Sequence, residues 1–130
     1  SILPYMKQQK DGLIINVSSW AGKEVSLLSG VTYTSSKHAV NAMTETINMK
    51  YCNVGIRACA LCPGEVATPI LDKRPKKLTI EQKNKMLQPD DLGEAISFLC
   101  QMPKHVCINQ LTISPTWHRR YISDLGIEDL

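Results

Sequence analysis

Short apolar runs alternate with longer polar segments along the chain. Residues 13–17 and 56–62 are almost entirely apolar and have glycine, serine or proline at their boundaries. A third run, residues 109–114, is more polar and is ended by Pro115. All three are too short to form helices, and near-continuous apolar character is typical of strands covered on both faces. The pattern therefore predicts three strands.

The segments between these runs predict helices. Residues 1–10 are expected to form a short helix, and a longer one should end near Tyr51, with Ser29 or Thr32 as its cap. Residues 88–91 suit the start of another helix, because a proline and two carboxylates would stand in its first turn. Alternating helices and strands favour parallel pairing through crossover helices. The predicted fold class is α/β, a portion of a doubly wound parallel sheet (Rossmann-like) with three parallel strands.

Composition narrows the class of protein. The chain has 130 residues, of which 43% are hydrophobic and 21% charged, with a net charge of +3. These values are typical of one globular domain, and no apolar run approaches the roughly 20 residues of a membrane helix. The mild charge argues against a nucleic-acid partner. Five cysteines, an odd number, favour a reduced, cytoplasmic setting over a disulfide framework.

One short stretch carries the candidate chemistry. Tyr33 and Lys37 are four positions apart, so on a helix they lie on one face, a single turn from each other. A nearby ammonium favours the phenolate form of a tyrosine and prepares it to transfer a proton. Ser19, at the end of the first predicted strand, could hold the oxygen of a carbonyl or alcohol beside the phenol. Together the three residues predict a proton-transfer site.

These residues resemble the short-chain dehydrogenase/reductase family. The sequence GLIINVSSWAG at 12–22 resembles that family's strand ending in its active-site serine, and YTSSKHAV at 33–40 resembles its Tyr-x-x-x-Lys helix. The sequence GIR at 55–57 and PGEVATP at 63–69 resemble the strand and loop that close over the nicotinamide. Each motif alone is weak, whereas three in the family's order are specific.

The resemblance implies a role for each matching residue. Tyr33 would be the general acid or base, Lys37 would favour its phenolate and bind the nicotinamide ribose, and Ser19 would orient the substrate oxygen. The cofactor is expected to be NADP or NAD, and the substrate a small carbonyl compound or secondary alcohol. The residues expected to contact the cofactor are Tyr33, Lys37, Pro63, Gly64, Val66 and Thr68. Those expected to contact substrate are Ser19, Tyr33 and Glu65.

One departure from the family concerns the glycines. Its seven glycines never approach the Gly-x-Gly spacing of a pyrophosphate-binding turn. The interpretation is that residues 1–115 are the C-terminal, catalytic half of such a domain, entered in the middle at Ser1, and that residues 116–130 are a C-terminal tail. A homo-oligomer is expected. The alternative is a non-catalytic, self-associating fragment that uses exposed sheet edges and the helix bearing Ala39 and Ala42.

Other candidate groups receive a structural interpretation. Cys59 and Cys62 have the spacing of redox and zinc sites, but residues three apart on a strand point to opposite faces, so buried structural cysteines are expected. The three histidines are isolated, and no metal site is predicted. Residues 72–85 hold six basic and two acidic side chains, and a solvated, mobile connection with a short helix is expected there.

Overall fold

A parallel three-stranded sheet forms the centre of the computed structural model, which describes residues 2–25, 28–73 and 77–127. The strands are β1 (Gly12–Val17), β2 (Ile56–Pro63) and β3 (Gln110–Ile113), in the order β1-β2-β3. Both pairings are parallel. The predicted α/β class, with three parallel strands and alternating helices, is confirmed.

The first four helices along the chain lie close to their predicted positions, and a fifth was not predicted. They are α1 (Leu3–Gln9), α2 (Val31–Tyr51), α3 (Ile80–Asn84), α4 (Pro89–Gln101) and α5 (Arg119–Asp124), with 3₁₀ turns at Trp20–Gly22, Cys52–Val54 and Pro69–Lys73. Within the described residues, no helix is both long and apolar enough to cross a membrane.

Two details of the helices differ from the prediction. Neither Ser29 nor Thr32 caps α2, because the cap position is Gly30, whose φ of +70° suits glycine. The C-terminal tail, in which the sequence has no clear helical period, nevertheless contains helix α5. The 72–85 connection does include a short helix, α3, but residues 74–76 lie outside the described part, as do 26 and 27 of the loop before α2.

The centre of the core is strand β2. Seven of its eight residues are buried, and several are small, including Ala58 and Ala60. Small side chains allow α2 to lie close to the strand, and side chains on this face of α2 form hydrogen bonds with the sheet. Asn16 donates to the hydroxyl of Thr44 at 3.0 Å. Asn48 accepts from the Ala58 amide at 2.6 Å and donates to its carbonyl at 2.8 Å.

At Ala58 the Asn48 side chain replaces the backbone hydrogen bonds that a neighbouring strand would make. Strand β3 begins its pairing with β2 only at Ala60. The buried N–H of Ala58 therefore depends on the Asn48 carboxamide, and its C=O accepts from that carboxamide and, more weakly, from the Cys107 thiol at 3.8 Å. A buried backbone group that loses its partner costs about 1–3 kcal/mol.

We therefore predict that Asn48→Ala lowers the free energy of unfolding by about 1–3 kcal/mol, since it leaves the Ala58 amide without a partner and the Ala58 carbonyl with only the weak thiol donor of Cys107. Urea denaturation would measure the change. The matched control is Asn53→Ala, because Asn53 is exposed in the turn after α2 and is expected to change stability little. Equal effects of the two substitutions would contradict the role given to Asn48.

Candidate active site

The carboxyl ends of the three strands meet at one edge of the sheet. Strand β1 ends at Val17, β2 at Pro63 and β3 at Ile113. The segments that follow them are distant in sequence and adjacent in space, because the strands are parallel and paired in register. In open parallel sheets this edge is where ligands bind. The predicted site residues Ser19 and Gly64 lie directly beyond it.

The two serines after β1 have different roles. Ser18 is buried and donates its hydroxyl to the carbonyl oxygen of Lys37 at 3.1 Å, which joins the strand end to α2. Ser19 is only partly buried and caps the 3₁₀ turn Trp20–Gly22, where its Oγ accepts from the Ala21 amide at 3.2 Å. Its hydroxyl proton is not used in that bond. We call Ser19 with residues 20–22 the Ser19 turn.

Lys37 connects the end of β1 with Tyr33. Its Nζ donates to the carbonyl oxygen of Val17 at 3.1 Å and lies 5.6 Å from the centroid of the Tyr33 ring. That distance is within the range of a cation–π contact. An ammonium has three donors, so the bond to Val17 leaves others for a ligand. Tyr33 is 48% exposed, and its phenol is accessible.

Close packing between Gly22 and α2 sets the position of Lys37. A Cβ at Gly22 would lie 2.6 Å from the Ser18 Oγ and 2.8 Å from the Lys37 carbonyl oxygen. The Gly22 carbonyl also accepts from the Asn41 carboxamide at 2.8 Å. No side chain fits at Gly22 unless the turn moves away from the helix.

The residues predicted to contact the nicotinamide lie in one ordered loop. We call residues 63–68 the 63–68 loop. The Gly64 amide donates to the Ile113 carbonyl at 2.7 Å, and Val66 forms a bridge with Leu87. The Ala67 amide donates to the Leu87 carbonyl at 2.7 Å. The backbone of the loop is therefore fixed from two sides, and Val66 and Thr68 are both partly exposed.

Glu65, predicted to contact substrate, forms a two-pronged ion pair with Arg119. The Nε and Nη2 atoms of the guanidinium donate to the two carboxylate oxygens. The hydrogen bond to Glu65 raises the pKa of Arg119, against the opposing effect of burial. The pair lines a small cleft. Its lining residues are Glu65, Leu78, Gln82, Lys85, Met86, Trp117 and Arg119.

An aromatic cluster beside the Ser19 turn was not found from the sequence. The His118 ring centroid lies 4.5 Å from that of Trp20 and 4.5 Å from that of Tyr121. Trp20 and Tyr121 meet edge to face at 5.9 Å. Aromatic and basic residues are frequent between 117 and 121, but their spacing has no helical period, so the sequence alone did not reveal the cluster. Burial lowers the pKa of His118, although Glu65 opposes the change and Arg119 adds to it.

The remaining candidates have structural roles. Cys59 and Cys62 are buried, unpaired thiols of β2, as predicted. Burial raises the pKa of Cys59 to about 11, which keeps it protonated and unreactive. His38 contacts the Thr34 carbonyl one turn earlier on α2, and His105 is exposed. Among the described residues, no group of three or more His, Cys, Asp or Glu side chains could hold a metal ion.

Comparison with known proteins identifies the class. The family described as short chain dehydrogenase matches residues 1–79. The chain therefore belongs to the short-chain dehydrogenase family.

The chain is similar in sequence to curated oxidoreductases and similar in fold to solved dehydrogenases and reductases. An uncharacterized oxidoreductase of Staphylococcus saprophyticus is 35% identical over 115 residues, covering 88% of this chain and 47% of that protein. An alcohol dehydrogenase of the archaeon Thermococcus sibiricus, solved with 5-hydroxy-NADP, is 27% identical with a TM-score of 0.73, covering 90% and 47%. A 3-ketoacyl-(acyl-carrier-protein) reductase of Brucella melitensis, solved with NADH, is 26% identical with a TM-score of 0.69, covering 87% and 49%. The chain spans about half the length of the relatives it matches.

The close packing at Gly22 predicts that Gly22→Ala lowers the free energy of unfolding by about 1–3 kcal/mol, because the added methyl group forces apart the turn and the backbone of α2. Thermal and urea unfolding would measure it. Gly93→Ala is the matched control, since nothing lies within 4 Å of a Cβ at that position in α4. Alanine should stabilise that helix by about 0.5–1 kcal/mol, and destabilisation at both positions would contradict the packing argument.

The burial of His118 predicts that the stability of the protein depends on pH. His118 has a pKa below its ordinary value of 6.5 in the folded protein, so the unfolded chain binds the proton first as pH falls. The contribution of neutral His118 to the free energy of unfolding is complete above pH 6.5. It is lost as pH falls through the lower pKa that His118 has in the folded protein. His118→Phe removes this titration and keeps an aromatic ring in the cluster. We expect urea midpoints of the unmodified protein to fall more than those of the variant between about pH 7.5 and about pH 5. Parallel pH profiles would contradict this.

Proposed function

We propose that the protein is an NAD(P)-dependent oxidoreductase that moves a hydride between a nicotinamide and a carbonyl group or secondary alcohol. The observation that carries the proposal is the position of Lys37, whose ammonium joins the end of β1 to the Tyr33 ring. Membership of the short-chain dehydrogenase family supports the reaction class. Relatives solved with 5-hydroxy-NADP and with NADH support a nicotinamide cofactor, NADP or NAD.

In this proposal the protein moves the proton, and the bound nicotinamide supplies or accepts the hydride. Tyr33 gives a proton to the carbonyl oxygen during reduction and takes it back from the alcohol during oxidation. Lys37 favours the phenolate that remains. Ser19 donates the hydroxyl proton that its bond to Ala21 leaves free, and so orients the substrate oxygen.

The donor set at the strand ends fits the nicotinamide end of such a cofactor. Lys37 has free donors at the end of β1, and the 63–68 loop presents Val66 and the hydroxyl of Thr68. Gly64 lets the loop leave the sheet against β3, since a Cβ there would lie 3.2 Å from side-chain atoms of Ser114 and Pro115. Glu65 is held by Arg119, so its proposed contact with substrate would be made by the ion pair.

We also propose that residues 1–115 form the catalytic half of a short-chain dehydrogenase domain, with residues 116–130 as its tail. This proposal is supported by the order of the three family motifs and by the absence of Gly-x-Gly spacing in the sequence. A homo-oligomer is proposed from the exposed outer face of α2, where Met43 is 50% and Met49 is 75% accessible. Five unpaired cysteines support a cytoplasmic location.

The decisive substitution is Tyr33→Phe, tested in the whole protein. It removes the transferable proton and keeps the ring beside Lys37, so turnover should fall about 10²–10⁴-fold, with little change in unfolding temperature. Oxidation of NADH and NADPH in the presence of carbonyl substrates would be followed by absorbance.

Tyr5→Phe is the matched control, because Tyr5 is 64% exposed on α1, and it should leave turnover unchanged. A Tyr33→Phe variant that retains full turnover would refute the assignment of Tyr33 as acid and base.

A further inference from the structure

The segment that begins α5 contacts both loops of the candidate site. Three consecutive side chains are involved. His118 lies against Trp20 in the Ser19 turn, Arg119 binds Glu65 in the 63–68 loop, and Arg120 pairs with Glu24, just beyond the turn.

The contact with the Ser19 turn is made by buried rings. His118 is 8% exposed and lies between Trp20 and Tyr121, with both centroid distances at 4.5 Å. Trp20 directly follows Ser19 and is the first residue of the turn that Ser19 caps. A displacement of Trp20 therefore displaces the hydroxyl proposed to orient the substrate.

The contact with the 63–68 loop is directional. The planar guanidinium of Arg119 meets both oxygens of Glu65, and such a pair fixes orientation as well as distance. The side chains of Arg119 and Glu65 are 29% and 23% exposed, so the pair is partly shielded from water. Glu65 also holds the loop through its backbone, since its carbonyl accepts from the Leu87 amide at 3.1 Å.

We propose that α5 is a positioning element that holds the Ser19 turn and the 63–68 loop at a fixed separation. His118 and Arg119 are its positioning residues, and they act through Trp20 and Glu65. The catalytic consequence rests on the proposed function: the substrate oxygen at Ser19 and the nicotinamide at the 63–68 loop stay aligned only while both contacts of α5 are intact. Small misplacements of reacting groups cost much in rate.

Hydrogen exchange tests the connection without requiring activity. Arg119→Gln breaks the contact at the 63–68 loop, and the measurement is made at the other end, on the amides of Ala21, Gly22 and Lys23. We expect these amides to exchange about fivefold faster, which corresponds to about 1 kcal/mol of local opening. Conversely, Trp20→Leu should speed exchange of Gly64 and Ala67 by a similar factor. Amides of β2 serve as the internal reference and should be unchanged.

Lys104→Gln is the matched control, because it removes an ion pair, with Asp11, that touches neither loop. It should alter exchange in neither segment. If Arg119→Gln speeds exchange only within the 63–68 loop, α5 does not connect the two loops and the proposal is wrong. An equal rise throughout β2 would also overturn it, since the substitution would then act on global stability.

Kinetics of the whole protein test the catalytic consequence. If α5 holds both loops, breaking either contact releases the same constraint. The double variant Trp20→Leu/Arg119→Gln should then lose no more kcat/KM than the worse single variant, whereas independent effects would multiply. Multiplied losses would refute the shared constraint. If the unmodified protein turns over no carbonyl compound with either nicotinamide, the proposed function fails, and the exchange result still decides whether α5 connects the loops.

Discussion

The hydrogen bonds of strand β2 constrain much of the rest of the structure. As the central strand it needs partners on both sides, and β3 covers only its last four residues. The Asn48 carboxamide therefore binds both backbone groups of Ala58, which fixes the rotation of α2 about its axis. Asn41, Thr44 and Lys37 follow at helical spacing on the same face and bind Gly22, Asn16 and Val17 respectively. The residues that hold the helix in the core thus form one polar stripe with Lys37, which reaches the candidate site. A rotation of α2 that released Asn48 would also withdraw Lys37.

That stripe shows where prediction from sequence succeeds and where it fails. Strands β1 and β2 were predicted because residues 13–17 and 56–62 are almost entirely apolar, and helix α4 because Pro89 and Asp91 stand at its start. The hydrophobic period of a sequence cannot distinguish a stripe of Asn and Thr from a solvated helix face. Such a stripe becomes recognisable only when the fold brings it against polar groups of strands that are distant in sequence. Tyr33 and Lys37 were identified by a motif, while the bond from Lys37 to Val17 depends on tertiary packing. The cap at Gly30 was mispredicted because a glycine with positive φ leaves no side-chain signal.

The C-terminal segment was hidden for a similar reason. Its contacts with the rest of the protein are made by the His118 ring and by two guanidinium groups, each with a partner about 50 to 100 positions earlier in the chain, and no local pattern encodes such distances. Helix α5 has six residues, too few to be stable alone in water. Its stability therefore depends on tertiary contacts, which include those of Trp20 and Glu65 and the burial of Ile122. The two loops of the candidate site thus help to order the helix that in turn contacts both of them.

The exposure of Tyr33 determines how strongly the Lys37 ammonium can act on its phenol. At 5.6 Å from the ring, the ammonium of Lys37 acts weakly through water, where unit charges even at 4 Å interact by about 1 kcal/mol. At an effective dielectric constant of 20, two unit charges 4 Å apart interact by about 4 kcal/mol. Whatever covers the half-exposed phenol therefore strengthens the effect of Lys37 severalfold. In the proposed reaction the nicotinamide and substrate would exclude this water themselves, so that Tyr33 becomes an effective acid or base only when the complex is assembled.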